Sequence, residues 1–196
     1  MVSVPLRGLT CVLADTSVFC NVLRVLPATV LIDLLDYMGA ALAIATDVNR
    51  EMNGLSHGPF PGLQGLKAVD LVGEYLRGPA LALDTDLVAQ VQPIVEHSGI
   101  FTSDPDKPHK NWGEVATVLL AARRGVPVLM DDREGRTFAK RRGVQAHPTR
   151  RLIVEMYVDG ALSYQDGLAV WQAAQSKRAD QGDYDLAIAA TRATAA

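Results

Sequence analysis

The sequence predicts an α/β fold of three layers, α/β/α, with a central parallel sheet and extra helices at the C-terminal end. Three observations carry this expectation. Short apolar runs of β type alternate with amphipathic stretches along most of the 196 residues. The runs are apolar throughout, as strands buried on both faces are. Capping residues and glycines stand at the junctions between runs.

Residues 11–14 (CVLA) read as the first buried strand, stopped by Asp15-Thr16-Ser17 at the start of a first helix. Residues 26–38 have helical spacing, with Val30, Leu31, Leu34, Leu35 and Met38 on one face. Residues 41–45 (ALAIA) are a second buried strand, and Thr46-Asp47 offer caps for a short helix, VNREM. Residues 53–62 are rich in Gly and Pro and read as loop. A helix over 66–76, a short strand over 80–83 and a helix over 87–96 follow. Residues 103–110 carry Pro105 and Pro108 and are expected to be irregular. Residues 111–124 form a helix with an apolar stripe of Val115, Val118, Leu119 and Ala122, stopped by Gly125. The strand VPVLM (126–130) comes next. Asp131-Asp132 then open a helix with a basic last turn, ended by Gly143. Residues 150–157 and 164–175 are helical. Residues 179–196 hold few core residues and read as a weak helix or loose tail.

At 21.1 kDa the chain fits one domain, residues 1–178, with 179–196 as an appendage. A chain of this size buries roughly 70% of its unfolded surface and needs no metal or disulfide to fold. The formal net charge of −3, from 19 basic and 22 acidic residues, excludes a polybasic protein that attracts nucleic acid over its whole surface. Cys11 and Cys20 are too few for a disulfide framework and lack zinc-ligand spacing. A buried, reduced thiol in a cytoplasmic protein is the expectation. The N-terminus lacks a signal-peptide pattern, and no apolar run approaches membrane-spanning length, so no membrane partner is expected.

In open parallel sheets, ligands bind beyond the carboxyl ends of the strands. Those positions are acidic here. Asp15 follows the first strand, Glu51 lies one turn after the second, and Asp131 and Asp132 follow VPVLM. Glu114 opens the helix that leads into VPVLM. Each has a structural reading. Asp15, Thr16 and Ser17 are good N-cap residues. Residues 111–114 fit a capping box, and so do 131–134, with Asp131 as cap and Glu134 as its partner. Glu51 escapes this reading, because a cap at Asp47 would place the reciprocal position on Arg50.

Taken together, converging carboxylates repel one another by roughly 1–4 kcal/mol per close pair at surface-like dielectrics. Such a cluster raises its own pKa values or draws in a cation. An all-oxygen set suits Mg²⁺ or Mn²⁺, ions that support displacement at a phosphodiester. Other aspartate-based phosphate sites fit poorly. Ser17 stands where a haloacid-dehalogenase-type DxDx[TV] needs its second Asp, the acidic pair comes too late for a receiver domain, and no DxD follows VPVLM as a Toprim site requires. GxxxxGK[ST] is absent.

The order of these acids resembles that of the PIN-domain nucleases. The segments that carry the resemblance are LADTSVFCNVL around Asp15, ATDVNREM around Glu51, and KNWGEVATVLLAARRGVPVLMDDREGRTFAKRRGV around Glu114 and Asp132. The match spans about residues 10–145, and the DDRxGRxxAxxxG block is its most specific part. The resemblance implies a PIN-like fold and makes Asp15, Glu51, Glu114 and Asp132 the catalytic, metal-holding acids. Asp131 then serves as the cap or shares metal work through a water. Thr16 or Ser17 takes the place of a small hydroxyl residue near the metal, and Asn21 matches a common polar position. Glu114 stands where many members carry Asp, a substitution this branch also uses.

The activity implied is that of a Mg²⁺- or Mn²⁺-dependent endoribonuclease. Many small bacterial members are toxins of toxin–antitoxin pairs (VapC-type), which implies an antitoxin protein as partner, and many dimerise, which implies a homodimer. This chain is longer than the compact toxins. A non-catalytic scaffold binding RNA or protein, and a DNA- or structure-specific nuclease, are the alternatives.

Charge distribution fits a polyanionic substrate. Nine basic and three acidic residues lie between Arg123 and Arg151. Arg133, Arg136 and Lys140 share a helix face that a single RNA strand could follow. A core or interface role is the first reading for Trp112, and base stacking the second. His57, His97, His109 and His147 lack ligand spacing; His109, five residues before Glu114, is the one flagged for a substrate loop.

Overall fold

The structure is a computed structural model, and it describes residues 5–24, 28–54, 68–102, 110–174 and 180–195. Five strands form one all-parallel sheet: β1 (Val12–Ala14), β2 (Leu42–Ala45), β3 (Ala80–Leu81), β4 (Val128–Leu129) and β5 (Ala146–His147), in the order β3-β2-β1-β4-β5. Leu13 is central, in register with Ala43 on one side and Val128 on the other. Every residue of β1 and β2 is buried, which explains their unbroken apolar sequence.

The strand order also fixes the layers. From β1 the chain steps outward to β2 and β3, then returns across the sheet to β4 and β5. Right-handed crossovers therefore put α1 (Thr16–Leu23), α2 (Ala28–Met38) and α4 (Ala68–Tyr75) on one face. The return puts α5 (Thr85–His97), α6 (Trp112–Arg124) and α7 (Arg133–Arg141) on the other. Helix α3 (Thr46–Gly54) leaves the end of β2 and packs against both α4 and α6. The reversal of direction opens a crevice between β1 and β4.

Helix α2 buries the predicted face, Val30, Leu31, Leu34, Leu35 and Met38. Helix α6 departs from its expected stripe. Residues 115–121 are all buried, whereas Ala122 is exposed. The cause is position: α6 lies across β1, β2 and β4 and is flanked by α3, α5 and α7, so it is apolar nearly all round.

The strand β5 has no counterpart in the sequence reading. It is an edge strand of two residues held by backbone pairing to β4, so it leaves no apolar run to find. Its His147 is buried and its pKa is pushed down to about 4, first by burial and then by the Arg151 guanidinium. The predicted loop 53–62 begins with Asn53 and Gly54 inside α3; residues 55–62, the irregular stretch 103–109, His57 and His109 lie outside the described residues.

Three C-terminal helices complete the α1 side: α8 (Thr149–Val158), α9 (Tyr164–Ala173) and α10 (Gln181–Ala195). The last is more ordered than its composition suggests. Tyr184 is fully buried, its ring 5.3 Å from that of Trp171, and Ile188 joins the same core. Helix α9 touches α1, which brings Ala173 and Ala174 to the edge of the crevice. Among the described residues, no helix is long and apolar enough to cross a membrane.

Candidate metal centre

The crevice between β1 and β4 lies where strand order reverses, the place at which open α/β sheets bind ligands. Asp15 directly follows β1 and is the N-cap of α1. Its Oδ2 accepts hydrogen bonds from Ser17 N at 3.1 Å and Ser17 Oγ at 2.7 Å. The capping reading of Asp15 therefore holds, yet it uses one oxygen only. Oδ1 is buried and has no hydrogen-bond partner.

Glu51 projects from α3 and is gripped on both oxygens. Oε2 accepts from Thr16 Oγ1, and Oε1 accepts from Gly113 N at 3.0 Å. Gly113 is required here. A Cβ at that position would stand 2.6 Å from each Glu51 oxygen, so any side chain would push the carboxylate away. Glu114 follows immediately in the first turn of α6, and its buried Oε2 is unpartnered like Asp15 Oδ1. Asn111 adopts a left-handed backbone, φ 68°, and its side chain caps nothing, so the expected capping box over 111–114 does not form.

One carboxylate oxygen from each of Asp15, Glu51 and Glu114 lies within 4.8 Å of the others. Crowding and burial show in the protonation equilibria. Burial, opposed by the Ser17 bonds and reinforced by Glu51, raises the Asp15 carboxyl to about 7. Burial first, then the charges of Asp15 and Glu51, raises Glu114 to about 9. Glu51 is also raised by burial, against the pull of Thr16 and Gly113.

The two acids after β4 exchange the roles expected for them. Asp132, not Asp131, is the N-cap of α7, accepting from Gly135 N at 2.7 Å. Its carboxylate lines the same cleft as Glu51 and Glu114 and adds to the charge felt by Glu114. Asp131 is a clasp. It accepts from Asn21 Nδ2 at 2.6 Å, Thr149 N at 2.9 Å and Thr149 Oγ1, while its own N–H donates to Ser17 Oγ at 3.1 Å. Both its oxygens are thus taken in joining the end of β4 to α1 and α8. Asn21 serves that clasp. Glu134, the expected capping partner, instead accepts from Thr102 N at 3.2 Å and Thr102 Oγ1 at 2.8 Å.

The cleft over these groups has a volume of about 420 Å³, and Arg24 is the one cation among its described lining residues. Sequence reading passed over Arg24 because it ends an apolar helix and belongs to no motif. Cys20 also lines the cleft, but burial pushes its thiol up to about 11, so it stays protonated and is a poor nucleophile. Arg133 and Lys140 are exposed and Arg136 is half-buried. None lines the acidic cleft; Arg136 and Lys140 border a separate groove of about 480 Å³ with residues 143–146.

The residues present fit a hard divalent cation. Three carboxylates converge from different elements, every donor is oxygen, and two buried oxygens lack any hydrogen atom to accept. Asp15, Glu51 and Glu114 would hold the ion, and Asp132, outside that cluster, lines the same cleft. Comparison of the chain with protein-family models, with curated proteins and with solved structures finds no match.

Proposed function

We propose that the chain is a Mg²⁺- or Mn²⁺-dependent endoribonuclease of the PIN-domain type, hydrolysing phosphodiester bonds of single-stranded RNA. The observation that carries this reading is the convergence of Asp15, Glu51 and Glu114 with two buried oxygens left unpartnered, beside an open cleft that Glu51 and Glu114 line. Buried unpaired carboxylates are costly, and a fold that keeps them side by side argues for a cationic occupant. Among the described residues, no salt bridge engages Glu51 or Glu114. RNA is chosen as the substrate on the resemblance of the acid-bearing segments to PIN nucleases.

A divalent ion at such a site supplies a polarised water and neutralises charge on the phosphate. The chain's own residues do the rest. Thr16 and Gly113 hold Glu51 in place, and Ser17 holds Asp15 through Oδ2, which leaves Oδ1 unpartnered. Asp132 uses Oδ2 as a cap, which leaves Oδ1 to accept a proton from the attacking water. Arg24, which lines the same cleft, offers a guanidinium that could pair with a non-bridging phosphate oxygen. Arg133, Arg136 and Lys140 form no ion pair among the described residues, and they offer a track for the strand beyond the cleft.

Incubation of the purified protein with a mixed pool of single-stranded RNA tests the reading. Cleavage is expected with Mg²⁺ or Mn²⁺ and none with EDTA, and single-stranded DNA serves as the comparison substrate. Cleavage undiminished by chelator, or intact RNA in the presence of either metal, would overturn it.

A further inference from the structure

We infer that the groove between α7 and the outer edge of β5 is a phosphate subsite, which holds the backbone of a single-stranded RNA a few nucleotides away from the acids. This subsite rests on the nuclease reading above and fixes the strand on one side of the cut. The groove has a volume of about 480 Å³ and is lined by Arg136, Lys140, Gly143, Val144, Gln145 and Ala146. No carboxylate and no aromatic ring is among its described lining residues, so its chemistry suits a phosphate and not a base.

Three kinds of donor meet there. Lys140 is exposed and Arg136 half-buried, and neither pairs with a carboxylate among the described residues. The third donor is backbone. Gln145 O accepts from Val128 N and His147 O from Met130 N, each at 2.9 Å, so the carbonyls on either side of Ala146 face β4. Alternation along the ladder then turns the Ala146 N–H outward, into the groove that Ala146 lines. β5 is the last strand of the sheet, so no further strand takes up that group. The surrounding charge is of one sign. Residues 133–142 carry Arg133, Arg136, Lys140, Arg141 and Arg142 against one acid, Glu134, whose carboxylate is engaged by Thr102.

Helix α7 ties this groove to the acidic cleft. Asp132, its N-cap, lines the cleft, and Arg136 and Lys140 follow at four-residue intervals on one helix face. At about 1.5 Å per residue, Lys140 lies about 12 Å along the axis from Asp132. A single strand advances about 3.4 Å per nucleotide when stacked, and more when extended, so about two to four nucleotides span that distance.

A short single-stranded RNA with one mapped cleavage site, truncated stepwise from either end, tests the subsite. On the full strand, Arg136→Ala and Lys140→Ala should each raise KM by about tenfold, the effect of losing one charge-assisted contact, and Lys140→Arg should restore it. Truncation from one end alone should reproduce that rise. On the truncated strand Lys140→Ala should add little, because the phosphate it held is gone. Binding is read apart from cleavage by the anisotropy of the labelled RNA in EDTA. There Lys140→Ala should lower the slope of log affinity against log salt by about 0.7, the share of one phosphate on a single strand. Arg141 Nη1 donates to Ser98 O at 3.4 Å, and Arg141 does not line the groove, so Arg141→Ala removes the same charge outside it and should have a smaller effect.

RNA that is cleaved by the native protein, with KM and salt slope unmoved by Arg136→Ala and Lys140→Ala, would overturn the subsite and leave the nuclease reading standing. Equal losses from Arg141→Ala and Lys140→Ala would overturn it as well, since diffuse charge on α7 would then account for binding. A slope lowered by Lys140→Ala and not by Arg141→Ala, with no cleavage by the native protein in Mg²⁺ or Mn²⁺, would overturn the nuclease reading and support the groove as a phosphate site.

Discussion

Asp15→Asn or Glu114→Gln should lower RNA cleavage by about a hundredfold or more while the metal-free protein becomes more stable. Both effects come from the same geometry. Each substitution removes a carboxylate oxygen from the cluster that would hold the ion, and changes to outer-shell partners alone typically cost 10- to 100-fold. Each also replaces a buried, repelled acid by an isosteric neutral group, so it relieves desolvation and mutual repulsion. Asp131→Asn should behave oppositely. Asp131 accepts three hydrogen bonds, and an amide nitrogen in its place can accept none, so stability should fall by about 1–3 kcal/mol. Initial cleavage rates and thermal melts of the three variants, without metal, check the contrast. A melt lowered by Asp15→Asn as much as by Asp131→Asn would mean that Asp15 is a structural cap and nothing more.

The metal-free protein should lose stability as pH rises from 6.5 to 9. Asp15 and Glu114 titrate at about 7 and about 9 in the fold, against 3.8 and 4.5 as ordinary values. Across that window the native state binds more protons than the unfolded chain. Linkage then makes stability greatest at low pH and removes it as pH climbs through the raised values. A loss on the order of 3 kcal/mol is expected between the two ends. His147 does not interfere: its pKa is depressed to about 4, so its contribution is lost only as pH falls below its ordinary 6.5. Cys20, ordinarily at 9.0 and raised to about 11, acts above the window. Urea midpoints measured across the range should show the slope, and Asp15→Asn with Glu114→Gln should flatten it. Saturating Mn²⁺ should flatten it too, because the ion takes the place of the protons.

Much of the site was legible because its acids stand immediately beside strand ends and helix starts. Glu51 was the clearest, since no capping arrangement accounted for it. The division of labour between Asp131 and Asp132 was not legible. Both can cap a helix, and the choice is made by Asn21 and Thr149, which lie 110 and 18 residues away in the chain. Arg24 and Gly113 were missed for a related reason. Their importance is positional, one lining the acidic cleft and one against the Glu51 carboxylate, and neither residue type signals it alone.

Among the fold elements, β1, β2 and α2 were readable from buried apolar residues in continuous or helical spacing. The edge strand β5 depends on backbone pairing, and α10 is anchored chiefly by Tyr184 and Ile188, too few residues to set a visible period. Helix α6 misled in the other direction. Val115, Val118 and Leu119 of its expected stripe are buried, but Ala122 is exposed, and contacts on several sides bury Ala116, Leu120 and Ala121 as well.

Calorimetric titration of the metal-free protein with Mn²⁺ at pH 6.5, in two buffers of different ionisation enthalpy, addresses the central claim most directly. Saturable binding with net proton release is expected for the native protein, because the acids that would hold the ion carry protons beforehand. Asp15→Asn and Glu114→Gln should bind more weakly and release fewer protons. Native protein that shows no saturable binding, or variants that bind Mn²⁺ as the native protein does, would contradict the assignment of Asp15, Glu51 and Glu114 as a metal centre.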